Sequence, residues 1–275
     1  MSVKPVEATV QSADGTSIGF IRLGTGPSLV IIHGSISTGD AFLQFANILS
    51  RKFTCFVMDR RGYGRSEDSV DYTIEREYED VQALLKVAGS GAHLFGHSFG
   101  AIIALGAALQ SSIGRLVLYE PPLPVKGPIA GSMLESYRKA VEANRLDDAL
   151  VFGLEHFVNL PADEIVLRRK SPQWNRQVSL TPTWVRELEA IDQLGPSLDR
   201  YRHLNTPTLM LTGSESDEHH LRVASEALNN VLPHASLEHL KGQGHLAHLM
   251  APQMLADIVA NFLLATARPE WFECF

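Results

Sequence analysis

The stretch that decides the reading is Gly96-His97-Ser98-Phe99-Gly100. Its pattern is G-x-S-x-G. The apolar run Ala92 to Phe95 precedes it, and the small-residue run Ala101 to Ala108 follows. That order predicts a strand, a sharp turn and a helix, the context in which this motif exposes a serine hydroxyl on strained backbone. Gly96 and Gly100 carry no Cβ, so the helix can pass close to the strand.

Strand and helix signals alternate on either side of this motif. Residues 8–11 and 17–21 read as two strands joined at Asp14-Gly15, a hairpin turn. Residues 28–32, 53–58, 92–95 and 115–119 are continuous apolar runs, as expected for strands buried on both faces. Helical patterns lie between them near 40–50, 73–88 and 99–110. The rhythm stops at Pro121-Pro122. From there to about Thr206 the pattern is helical. Leu134, Tyr137 and Val141 share one face, with Ser132 placed to cap it. Leu146, Leu150, Leu154, Phe157 and Val158 form a second stripe. A third helix starts at Thr181-Pro182 and carries Trp184, Leu188 and Ile191. Strand, helix, strand and helix then return at 208–211, 221–232, 235–240 and 252–266. The fold class is α/β, with a mostly parallel sheet flanked by helices. The predicted organisation is a core of residues 1–121 and 206–275 and a helical cap inserted at 122–205.

Composition narrows the partners. The chain has 275 residues, is 45% hydrophobic and carries a net charge of −7. With no long basic run, nucleic acid is not expected as a partner, nor is an anionic membrane surface. No stretch approaches the ~20 apolar residues of a membrane span. Met1 to Pro5 shows no secretory pattern, so a cytoplasmic location is expected. Cys55 and Cys274 are the only cysteines and build neither a disulfide framework nor a zinc site. The tail Trp271-Phe272-Glu273-Cys274-Phe275 is unusually aromatic. Folding back on the body and joining a second subunit in a homodimer are its two expected arrangements.

A serine hydroxyl needs a base to become a nucleophile. Of eleven histidines, His245 stands out. It ends Gly242-Gln243-Gly244-His245, a loop after the last strand, where an open α/β sheet places its ligand crevice. His33 reads as a loop support. His97 adjoins Ser98 and should point to the other side, and His219 and His220 sit at a helix start. A tetrahedral oxyanion needs two backbone N–H donors. Phe99, directly after the serine, is one candidate, and Ser35, in His33-Gly34-Ser35-Ile36, is the other.

With these elements in order, the chain resembles the α/β-hydrolase fold family over nearly its whole length. The resemblance rests on His33-Gly34, on Asp59-Arg60-Arg61-Gly62-Tyr63-Gly64-Arg65-Ser66, on Gly96 to Gly100 and on Gly244-His245. It implies an eight-stranded sheet, a helical cap after strand six and a Ser–His–acid triad, with the Asp59–Ser66 loop structural. It leaves the acid open. The usual stretch reads Gly213-Ser214-Glu215-Ser216-Asp217, with Ser216 where aspartate is common. Some relatives use the end of strand six, occupied here by Glu120. Glu120 is preferred, Asp217 is the alternative and Glu215 a third choice. Serine at position 98 argues against the epoxide hydrolases and haloalkane dehalogenases of this fold, which use aspartate.

The expected activity is hydrolysis of a small or medium carboxylic ester or lactone, with a small-molecule substrate. The pattern implies no cofactor and no metal. The rate should climb through the histidine range, roughly pH 6–7. A C–C bond hydrolase, a thioesterase or a hydroxynitrile lyase on the same triad is the second reading. A non-enzymatic small-ligand receptor is the third.

Overall fold

The apolar runs become the middle of a single sheet. The computed structural model describes residues 4–216 and 220–265. Its strands are β1 (Val6–Gln11), β2 (Ser17–Leu23), β3 (Ser28–Ile32), β4 (Thr54–Met58), β5 (His93–His97), β6 (Leu116–Tyr119), β7 (Thr208–Gly213) and β8 (Ala235–Leu240). They lie in the order β1-β2-β4-β3-β5-β6-β7-β8. The β1–β2 and β2–β4 pairs are antiparallel and all later pairs are parallel. The Asp14-Gly15 turn forms as expected, with Gly15 at φ 85°.

Helices cover both faces. They are α1 (Leu43–Leu49), α2 (Ile74–Ala88), α3 (Phe99–Gln110), α4 (Leu134–Glu142), α5 (Leu146–His156), α6 (Ala162–Arg169), α7 (Trp174–Ser179), α8 (Thr181–Gln193), α9 (His220–Val231), α10 (Ala247–Met250) and α11 (Pro252–Leu264). Strand side chains alternate between two cores. Val30, Ile32, Leu94, Leu118 and Met210 pack with α2, α3 and α9. Leu29, Ile31, Val57, Phe95, Val117 and Leu209 pack with α1 and α11. None of these helices among the described residues is long and apolar enough to cross a membrane.

Helices α4 to α8 all lie between β6 and β7. They bury a third core around Tyr137, Leu150, Trp184 and Leu188, into which Ile36 from the loop after β3 inserts. The segment is more divided than the three stripes suggest. In α6 only Ile165 is buried, while Val166 and Leu167 are exposed, so no apolar face marks that helix. Helix α10 is too short to show a period. Ser132 does not cap α4. It lies inside a 3-10 turn, Gly131–Met133, and α4 follows without a side-chain cap. Asp217, His219, Cys274 and the aromatic tail lie outside the described residues.

Phe95 is fully buried at the centre of β5, with its ring centroid 4.9 Å from that of Phe45. Phe95→Ala should lower the unfolding free energy by about 3–5 kcal/mol in urea denaturation, the range for deleting a buried aromatic ring.

Candidate active site

Six parallel strands, β3 to β8, end on the same edge of the sheet, and Ser35, Ser98, Glu120 and His245 lie in the turns and loops that follow them there. Ser98 links β5 to α3 at φ 54°, ψ −126°. Its N–H donates to the Tyr119 carbonyl at 2.8 Å, which ties the turn to the end of β6. A Cβ on Gly96 would strike the Gly100 backbone, and one on Gly100 would strike the carbonyls of Ile32 and His33. A Cβ on Gly34 would lie 2.8 Å from that of Ser98. The glycines therefore let two loops and a helix meet at one serine. Among the described residues, five that are not glycine have positive φ: Ile36, Ser98, Glu120, Asn144 and Asn159. Asparagine tolerates this region. The other three lie on this edge, where backbone strain marks a constrained site.

Glu120 follows β6 and is fully buried. Its Oε2 accepts a hydrogen bond from His245 Nδ1 at 2.6 Å, and its Oε1 accepts one from the Gly213 N–H at 2.7 Å. The Ser216 hydroxyl bonds the same carboxylate. Burial alone would raise this carboxyl's pKa. The hydrogen bond and charge of His245, with the Gly213 and Ser216 donors, outweigh it and hold the group below its ordinary value. Glu215 is exposed, and its N–H bonds the Gln243 carbonyl at 3.0 Å. Ser216 thus stands where aspartate is common and serves as a donor to the carboxylate supplied by β6.

His245 is held through its backbone as well. His97 Nε2–H donates to the His245 carbonyl at 2.9 Å. The Tyr119 hydroxyl donates to the Gly244 carbonyl and accepts the Ala247 N–H at 3.2 Å. The His97 and His245 ring centroids are 4.4 Å apart. Burial, with the charges of His245 and His248, pushes the His97 imidazole well below its usual range. His97 is therefore a neutral anchor between the Ser98 turn and the His245 loop. From the sequence His97 is expected to point to the other side from Ser98, and only its adjacency to Ser98 hints at its bond to the His245 loop.

His33 is fully occupied as a loop support. Its Nδ1–H donates to the Gly34 carbonyl at 2.7 Å, and its Nε2 accepts the Arg60 N–H at 3.1 Å. Among the described residues the amides of Ser35 and Phe99 donate to no acceptor. Asp59 accepts from the Gly39 N–H at 2.7 Å and from the Arg65 N–H at 3.0 Å, and Arg61 grips Asp80. The Asp59–Ser66 loop is a brace, as expected. Among the described residues no group of three or more His, Cys, Asp or Glu side chains converges as metal ligands.

The fold and this edge define an α/β hydrolase. Residues 29–258 match the alpha/beta hydrolase family, and the chain belongs to it. It is 26% identical over 256 residues to 2-(acetamidomethylene)succinate hydrolase of Mesorhizobium japonicum, covering 87% of this chain and 89% of that protein. It is 36% identical over 123 residues to N-formylmaleamate deformylase of Pseudomonas putida, covering 42% of this chain and 45% of that one. An alpha/beta hydrolase structure from Sphaerobacter thermophilus superposes with a TM-score of 0.85 at 30% identity, covering 93% of this chain and 99% of that chain.

Because Glu120's folded pKa lies below 4.5, its stabilising contribution is complete above 4.5 and fades as pH falls through the lower folded value. Glu120→Gln should cost about 1–3 kcal/mol at pH 7, by leaving buried donors poorly matched. The gap from wild type should close in acid. Denaturant titrations across pH would check both.

Proposed function

We propose that the protein is a serine hydrolase acting on the acyl bond of a small carboxylic ester or lactone. The observation carrying this reading is the Glu120–His245 hydrogen bond on the same edge of the sheet as Ser98 and its strained turn. Ser98 Oγ attacks the substrate carbonyl while His245 Nε2 takes its proton. Glu120 keeps Nδ1 protonated and stabilises the imidazolium. The oxyanion accepts from the N–H groups of Ser35 and Phe99. As the tetrahedral intermediate collapses, His245 returns the proton to the leaving oxygen. Water, with His245 again as base, then releases the acid and frees Ser98. Helices α4 to α8 act as a cap whose position on Ile36 walls the pocket. We place this activity in the cytoplasm.

A second reading keeps the residues and changes the bond. The names of the Mesorhizobium and Pseudomonas relatives describe small acids bearing an N-acyl group, which favours a small acidic substrate cleaved at another carbonyl bond.

Turnover of activated esters, lactones and small N-acyl acids should be measured for wild type and Ser98→Ala. Wild type should hydrolyse esters, and Ser98→Ala should lose about 10³-fold or more of that rate. Wild-type turnover confined to N-acyl acids would move the assignment to the second reading. Equal rates in the two proteins would overturn both.

A further inference from the structure

We propose that Arg60 is a positioning residue for the oxyanion donors, and that Glu187 of the helical insertion holds it in that role. This rests on the serine-hydrolase reading above. The Ser35 N–H and the Gly34 carbonyl belong to one peptide unit. That unit is planar and trans, so whatever grips the carbonyl aims the N–H in the opposite direction. Two side chains grip it. His33 Nδ1–H donates at 2.7 Å and Arg60 Nη1–H at 3.2 Å. The same guanidinium lies over the Phe99 ring, 4.7 Å from its centroid. Phe99 supplies the second N–H. A single side chain thus touches both donor residues.

Arg60 can do this only if its long side chain is fixed. Its Nε and Nη2 donate to the two carboxylate oxygens of Glu77 on α2, at 3.1 and 2.6 Å. Nη2 also pairs with Glu187 Oε1 on α8. The Tyr63 hydroxyl donates to that same oxygen at 2.7 Å, and the Thr183 hydroxyl lies 2.8 Å from Tyr63's. Arg60, Glu77 and Glu187 are fully buried.

Stability alone is a poor reason for such a cluster. Buried ion pairs lose hydration that their attraction often does not recover, and apolar replacements can be as stable. Here one guanidinium faces two carboxylates, and Glu187 Oε2 has no partner among the described residues. What the cluster provides is direction. A planar, forked donor is held on one side by carboxylates and aimed on the other at the Gly34 carbonyl. Since Glu187 comes from α8, the seating of the helical insertion and the orientation of the Ser35 N–H are mechanically joined.

The test uses Arg60→Lys and Glu187→Gln, with Thr183→Val as a neighbour in the same cluster that touches neither donor. Active sites are counted with a fluorophosphonate, and kcat and KM are measured per counted site on an activated ester. Thermal midpoints are recorded alongside. Arg60→Lys should lose about 10- to 100-fold in kcat, with Glu187→Gln losing less and KM moving within about twofold, because an oxyanion donor acts on the transition state. Thr183→Val should keep kcat. Unchanged kcat per site in both Arg60→Lys and Glu187→Gln, with lower melting points, would reduce the cluster to a structural brace and overturn the proposal. If Arg60→Lys yields no countable sites, the near-isosteric Glu187→Gln decides alone. Wild type without Ser98-dependent turnover would overturn the hydrolase reading, and this inference with it.

Discussion

A carboxylate shut away from water must be surrounded by donors, and the donors around Glu120 come from separate parts of the chain. His245 arrives from the loop after β8, and Gly213 and Ser216 from the loop after β7. The group itself stands at the end of β6 on a backbone with φ 49°. An unpaired charge buried there would be costly. The requirement to satisfy it therefore fixes the loops that make the site. Tyr119, one residue earlier, extends the same logic by tying Gly244 and Ala247 to β6.

Steric closeness is the second constraint. Gly34, Gly96 and Gly100 stand where a methyl group would strike Ser98 or backbone. Loops from β3 and β5 can share one small volume only because these side chains are absent. Among the described residues the amides of Ser35 and Phe99 have no acceptor in that volume. Sheet packing, loop strain and free donors are then three aspects of one local geometry.

Much of this was legible in the chain itself, for a physical reason. The strands are continuous apolar runs, and Ser98 and His245 sit in short glycine-marked motifs whose meaning is local. The sequence favours Glu120 without separating it from Asp217, because the choice depends on how far a side chain reaches across the β6–β7 neighbourhood. No local pattern encodes that reach. Ser216 as a donor to Glu120 was likewise invisible. Arg60 fills a variable place in the Asp59–Ser66 motif, and Glu187 looks like an ordinary charged helix residue 127 positions away. Helices α6 and α7 leave no periodic signal in the sequence because they are short and lack a buried stripe.

The helical insertion leaves from β6 and returns to β7, and these strands are neighbours. The two strands are parallel, so the segment leaves from the C-terminal end of β6 and returns to the N-terminal end of β7, where Thr208 lies opposite Leu116. A crossover of this length can be lengthened or shortened with only a slow rise in the cost of loop closure. The sheet does not register the exchange. Two side chains do. Glu120 stands at the departure point, and Glu187 reaches back into the core from α8. A graft that begins after Pro121 would have to preserve a carboxylate facing Arg60.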